Sequence, residues 1–238
     1  LVGSEMCIRD RVGEVVGSKE VDDVNRGWFV GKDISAIWDH EFIGIWQEDE
    51  AEEAAKYGQQ PGDAKVRDVN GDYKITQEDK VFLGQETPKF RWSFRNEFTL
   101  FRNWDISLNL YSQMGHKQST TEYLNFFDNL GDYSNTYKRE YWTPENKSNS
   151  YARLKSTRPS NINPKKVINK GFIRLENISV SYRVPQQFAR KLMAKEISIY
   201  GTVRNVAVWA FDKEWDYWDP ETKGLLPRTF TFGASITF

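Results

Sequence analysis

The sequence predicts an all-β chain, the strands of an antiparallel transmembrane β-barrel that is incomplete in itself and carries long extracellular loops. Three observations carry this expectation. Apolar and polar residues alternate with period two in five segments, and the last, Thr229–Phe238, alternates without a break. The connections between segments alternate between short turns and long polar stretches, as they do in outer-membrane barrels. Counting strands then returns the last segment to the end that has the short turns, the periplasmic side on which single-chain barrels finish.

The elements follow in order. Along Arg91–Leu100, Trp92, Phe94, Phe98 and Leu100 alternate with Ser93, Arg95, Glu97 and Thr99. Phe101-Arg102-Asn103 makes a tight turn into Trp104–Met114, where Ile106, Leu108 and Leu110 alternate with Asp105, Ser107 and Asn109. A long polar connection, Gly115–Lys170, separates this pair from Asn177–Val184, in which Ile178, Val180, Tyr182 and Val184 share one face. Ile173 and Leu175 stand in the opposite phase to Ile178, so a bulge or a departure from the apolar layer is expected between them. Pro185–Lys195 is a modest turn with a helical Gln186–Leu192. Ile197–Val206 is the next strand, Trp209–Pro227 the second long connection, and Thr229–Phe238 the last strand. A soluble β-sandwich with one wet face produces the same alternation. The spacing of Trp92, Phe94, Phe98, Tyr182 and Phe238 favours the barrel, because aromatic girdles mark a membrane interface.

Composition narrows the function. Lys plus Arg total 33 and Asp plus Glu 34, so no basic field exists to hold nucleic acid. The longest apolar run is Val206–Phe211, far short of the roughly 20 residues of a spanning helix. The single cysteine, Cys7, excludes an internal disulfide framework. It lies in Leu1–Arg11, which reads as the translation of a transposase sequencing adapter and is left out of fold reasoning. The expectation is that the protein extends further upstream, so that nothing about secretion follows from the first residues. Without Cys7 no thiol remains, which suits passage through an oxidising periplasm. No nucleophile elbow, P-loop, zinc spacing or dinucleotide fingerprint is present, and the chain reads as a non-enzyme.

A succession of motifs carries a family resemblance over about residues 25–238. Gly44-Ile45-Trp46-Gln47, Pro61-Gly62-Asp63 and Asp68-Val69-Asn70-Gly71-Asp72-Tyr73-Lys74-Ile75-Thr76 come first. Trp142-Thr143-Pro144-Glu145-Asn146, Phe172-Ile173-Arg174-Leu175-Glu176-Asn177-Ile178 and Ser181-Tyr182-Arg183-Val184-Pro185 follow. Asp219-Pro220-Glu221, Pro227-Arg228-Thr229-Phe230 and a terminal Phe238 close the series. The chain resembles the C-terminal part of a SusC/RagA-type TonB-linked outer-membrane protein. That resemblance implies the C-terminal strands of a large TonB-dependent-receptor barrel, with a plug and a TonB-contacting segment in the missing N-terminal part. It implies import of oligosaccharides or peptides, a SusD-like surface lipoprotein as lid, the TonB complex as energy source and outer-membrane lipid around the wall. The cell would be a Gram-negative, Bacteroidota-like bacterium. The chain then divides into the adapter at 1–11, a strand and loop segment at 12–60, an extracellular loop at 61–88, and the C-terminal strands and loops at 89–238. A secreted glycan-binding β-sandwich is the alternative.

Candidate sites are few. Asp68–Asp79 resembles an EF-hand-like calcium loop, with ligands expected from Asp68, Asn70, Asp72, the Lys74 carbonyl, Thr76 and Asp79. Tyr73 replaces the usual glycine at the sharp turn, and Asp79 is shorter than the usual glutamate. Ca2+ is the cofactor this pattern points to; the competing reading is a turn whose Asp and Asn side chains bond nearby N–H groups. Asp39-His40-Glu41 reads as a solvated segment, and Glu48–Glu53 as a solvated acidic helix face. The loops hold many aromatics: Tyr123, Phe126, Phe127, Tyr133, Tyr137 and Tyr141, then Trp142, Trp209, Trp215, Tyr217 and Trp218. Of these, Trp142, Trp215, Tyr217 and Trp218 are the candidates for contact with ligand or lid, and local packing is an equal reading for them.

Overall fold

The computed structural model describes residues 14–16, 19–120, 140–215 and 218–238. Thirteen strands occur among them. They are β1 (Glu14–Val16), β2 (Lys19–Val21), β3 (Ala36–His40), β4 (Phe42–Ile45), β5 (Ala64–Val66), β6 (Lys80–Gln85) and β7 (Phe90–Leu100). Then come β8 (Trp104–Met114), β9 (Lys117–Thr120), β10 (Lys166–Asn169), β11 (Phe172–Arg183), β12 (Glu196–Ala210) and β13 (Thr229–Thr237). Two short helices, α1 (Ala51–Lys56) and α2 (Gln186–Ala189), are the α-helical elements, and no helix is long and apolar enough to cross a membrane. The chain separates into two units, one of residues up to 87 with 117–168, the other of 88–116 with 169–238.

The second unit is a five-stranded antiparallel sheet in the order β13-β12-β11-β8-β7. Four of its strands, with 11, 11, 12 and 15 residues, reach or exceed the length needed to cross a bilayer as tilted strands, and β13 with nine meets it. Phe101 and Arg102 both take positive φ, 50° and 65°, the left-handed sense that a tight hairpin turn needs. Asn103 then ties this turn to its neighbour, accepting from the Arg183 N–H at 2.8 Å and donating its amide to the Arg183 carbonyl at 2.7 Å. The β7–β8 turn, the β11–β12 turn and the C-terminus therefore share one end. The long connections leave from the other, as the alternation of loop lengths requires.

The register explains the phase switch seen in the sequence. Leu175 pairs with Leu110 and Asn177 with Asn109, so Glu176 is an extra residue against β8. Against β12 the bulge lies on the other side: Asn205 and Val206 together stand opposite Glu176, with Asn205 at φ 54°. The bulge restores Leu175 and Ile178 to the same face, opposite Leu110 and Leu108. β11 and β12 run further toward the long connections than periodicity alone indicates. Phe172–Glu176 and Ala207–Ala210 are paired strand, not loop.

The first unit is built from two-stranded ladders, β1 with β2, β3 with β6, β4 with β5, and β9 with β10. Phe29 stands edge-on to both Trp38 and Phe82, 4.9 Å between ring centroids in each case, and so seals the β3–β6 pair. The core beside β4 and β5 is Ile45, Ala64, Trp142 and Ala152, with Phe42 and Tyr151 against it. Glu48 and Glu52 are exposed and Ala54 is fully buried, whereas Glu50 of the expected solvated face is half-buried and pairs with Lys65.

Candidate functional site

The large sheet has two chemically different faces. Cross-strand pairing puts Phe94, Leu110, Leu175 and Ala207 in one row and Phe98, Ile106, Val180, Gly201 and Phe232 in another. Apart from Asn96 opposite Leu108, the middle of this face is apolar, and Phe94, Phe98, Ile199, Phe230, Phe232 and Ile236 remain exposed on it. The opposite face carries Arg95, Glu97, Thr99, Asp105, Ser107, Asn109, Ser179 and Thr202. Neighbouring strands bond there through side chains. Asn109 donates to Glu176 at 2.5 Å, the Ser179 and Thr202 hydroxyls meet at 2.8 Å, and Arg183 pairs with Asp105 at 3.0 Å. Gly233 leaves room on this face for the ring of Tyr200, which lies where any Cβ would stand.

At the end with the long connections the polar face closes into a buried network. Arg174 of β11 donates to Asp219 at 2.5 Å and lies 3.5 Å from Glu221. Glu221 also accepts from the Tyr111 hydroxyl at 2.5 Å and the Gln113 amide at 3.1 Å. The other oxygen of Asp219 accepts the N–H groups of Glu221 and Thr222 at 2.9 and 3.0 Å, and its carbonyl accepts from Lys223 at 2.8 Å. Asp219 thus folds its own loop and clamps it to the wall. Beside the clamp is a cleft of roughly 280 Å3, lined by Arg174, Val208, Trp215, Trp218, Leu225 and Arg228 among others. One guanidinium nitrogen, Arg174 Nε, is buried without a hydrogen-bond partner.

In the first unit the separate motifs form a single knot. Asp63, wholly buried, accepts from Arg153 Nε at 2.9 Å, the Thr157 N–H at 2.8 Å and the Gln60 N–H at 3.0 Å. Gly62 sits at φ 90°, and a Cβ on it would come 2.5 Å from Trp142 and 2.7 Å from Arg153. Trp142 donates its indole N–H to Gln47 at 3.0 Å, Trp46 donates to Gln59 at 2.9 Å, and the Ile45 N–H reaches Asn149 at 2.7 Å. Asp39 and His40 are also part of the structure rather than solvated. His40 is buried and donates from Nε2 to the Thr76 carbonyl at 2.6 Å, while Lys165 donates to Asp39 at 2.6 Å. Burial alone would push the Asp39 carboxyl up, but the bonds from His40 and Lys165 outweigh it and hold it well below the usual carboxylate range.

The Asp68–Asp79 loop directs its oxygens onto its own backbone. Asp68 accepts from Gly71 at 2.7 Å and Tyr73 at 2.8 Å, Asn70 from Asp72 at 3.0 Å, and Asp72 from Lys74 at 2.8 Å. Tyr73 takes φ 61°, the conformation glycine would hold at that position. Asp79 is wholly buried and caps the turn after Thr76, accepting from Val69 at 2.9 Å and Thr76 at 2.7 Å. Burial raises the Asp79 carboxyl, and the N–H groups of Thr76, Val69 and Asn70 more than reverse this and lower it. Burial and the nearby Asp68 push the Tyr57 hydroxyl up to about 12, and that hydroxyl donates to Asp68 at 3.3 Å. Among the described residues no three acidic, His or Cys side chains converge as cation ligands do. The Asp and Asn oxygens of the loop thus serve the turn that holds the segment.

No family model matches the chain. Two curated proteins of Formosa agariphila do. TonB-dependent receptor P26 is 26% identical over 247 aligned residues, covering 95% of this chain and 24% of that protein. TonB-dependent receptor P3 is 23% identical over 227, covering 87% and 22%. The chain is thus similar, over most of its length, to proteins named TonB-dependent receptors. Structures of the RagAB peptide importer in the open-open state and of the RagAB peptide transporter share its fold. Their TM-scores are 0.60 and 0.61 at 15% and 16% identity, and they cover 96% and 90% of the chain. The chain spans about a quarter of the length of each of these four chains.

The aromatic candidates for ligand or lid contact have different fates. Trp142 and Trp215 are buried, in keeping with packing, Trp142 in the core knot and Trp215 with its indole N–H on the Asn169 carbonyl at 2.7 Å. Trp218 is exposed at the rim of the cleft. Tyr217, Tyr123, Phe126, Phe127, Tyr133 and Tyr137 lie outside the described residues. Sequence reasoning missed Arg174, Asp219, Asp63 and Arg153 as organising residues. Asp63, Arg174 and Asp219 stand in the quoted motifs and Arg153 does not, and the pairings join positions 45 and 90 residues apart, a separation no local period reports.

Proposed function

We propose that this chain forms part of the wall and outer loops of a TonB-dependent outer-membrane transporter that imports oligosaccharides or peptides beneath a SusD-like lipoprotein lid. The two-faced sheet carries this reading. Its apolar face leaves Phe94, Phe98, Phe230, Phe232 and Ile236 exposed, which suits lipid rather than the packed inner face of a sandwich. Its polar face, with hydroxyl, amide and paired charged groups, suits a water-filled or plugged lumen along which hydrophilic cargo passes. The relatives support transport through their names, TonB-dependent receptor and peptide importer. In this scheme the Arg174–Asp219 clamp acts mechanically. It fixes an outer loop to the strands so that Trp218 and its neighbours face cargo or lid from a rigid base.

Uptake of labelled peptides and labelled oligosaccharides by cells with and without the full-length receptor tests the reading. Import of either class that stops on collapsing the proton gradient supports it. Uptake that is unchanged when the receptor is deleted overturns it.

A further inference from the structure

The β11–β12 turn does not simply reverse the chain; it folds back over the apolar face of the sheet. Ala189 and Ala194 are buried against Val184 and Ile197, and Ile197 pairs with Ile236 in the apolar rows of that face. Having covered its small residues, the turn presents its large ones outward. Phe188, Leu192 and Met193 are 51%, 65% and 87% exposed. Interleaved with them are Arg190, Lys191 and Lys195, all exposed and without an ion pair to any described residue. From Gln186 to Lys195 the sequence contains no Asp or Glu. The Lys191 ammonium lies 5.6 Å from the centre of the Phe188 ring, so cation and apolar surface stand side by side. The neighbouring β7–β8 turn repeats the pairing, with Phe101 88% exposed beside Arg102.

We propose that residues 186–195 form a lipid-docking element that lies in the headgroup layer of the periplasmic leaflet and binds the phosphates of anionic phospholipid. This rests on the outer-membrane reading above. The position of the element settles which surface it meets, because it packs on the lipid-facing side of the strands and at the end with the short turns. Large apolar side chains interleaved with cations and no acid are the composition of an interfacial segment. Phe188, Leu192 and Met193 enter the acyl boundary while Arg190, Lys191 and Lys195 meet the negative phosphates. The element fixes the depth of the strand pair in the bilayer.

Two measurements on the full-length receptor test this. Nitroxide labels at Met193→Cys and, separately, at Phe94→Cys are examined in nanodiscs of phosphatidylethanolamine with phosphatidylglycerol. The expected result is that both are reached by oxygen and shielded from a water-soluble nickel chelate. A lipid-exposed Phe94 label with a water-exposed Met193 label overturns this inference and leaves the barrel standing. A water-exposed Phe94 label overturns the barrel reading and this inference with it. Native mass spectrometry then counts retained phosphatidylglycerol in wild type and in the triple variant Arg190→Gln, Lys191→Gln, Lys195→Gln. These side chains are exposed, so the fold is unaffected, and retention is expected to fall at least about twofold. Equal retention overturns the headgroup contact.

Discussion

Arg174 donates to Asp219 at 2.5 Å, and both side chains are nearly inaccessible, at 3% and 5% exposed. A guanidinium taken from water into such a place is tolerated because a carboxylate meets it there. Asp219→Ala leaves Arg174 with only Glu221 at 3.5 Å, and the expected loss of stability is about 3–5 kcal/mol. Urea titration of the detergent-solubilised receptor, followed by tryptophan fluorescence, measures it. Because the loop is released, cargo or lid binding through Trp218 should weaken as well.

Trp142 is a core residue, so its loss should appear as instability before it appears as altered binding. Trp142→Ala is expected to cost about 3–5 kcal/mol. Gly62→Ala should be nearly as damaging, since φ 90° strains any L side chain and the new Cβ meets Trp142 at 2.5 Å. Cargo affinity measured on the folded fraction of each variant should be unchanged.

The Asp39 carboxyl gives a pH test. Its pKa is depressed in the folded chain, so the contribution to stability is fully present above the unfolded value of about 4. It is lost as pH falls from there through the lower folded value. Melting temperature of the wild-type receptor should therefore drop below about pH 4, and Lys165→Gln should make that drop shallower. Identical acid limbs in the two proteins would remove Lys165 from the explanation.

The Asp68–Asp79 turn is held by its own N–H groups, so chelation should leave its melting temperature unchanged. Asp79→Ala should lower it, because the Val69 and Thr76 N–H groups lose their acceptor, at about 1–3 kcal/mol. A rise in melting temperature with calcium that vanishes in Asp68→Ala would instead mean that these oxygens turn to a cation.

What could be read from the sequence follows the range of the interactions. The five long strands, the tight turn at Phe101, the bulge near Glu176 and the helical turn at Gln186 were legible, because period two and turn chemistry act over neighbouring residues. The burial of Trp142 and Trp215, the engagement of His40 with Thr76 and the Arg174 clamp were not. Each depends on a partner far along the chain, and exposed and buried tryptophans look alike in a loop. The extensions of β11 and β12 past the bulge were missed because the phase reversal resembles the end of a strand.

In the proposed function the large sheet is a membrane wall with lipid on one face and water on the other. Labelling the full-length receptor in nanodiscs, one nitroxide at a time, along β11 and β13 tests it most directly. Oxygen accessibility should peak at Ile178, Val180, Phe230 and Phe232, and nickel-chelate accessibility at Ser179, Ser181, Thr231 and Ser235. The same period-two pattern with neither set reached by lipid would contradict the account, because the apolar face would then be packed on protein.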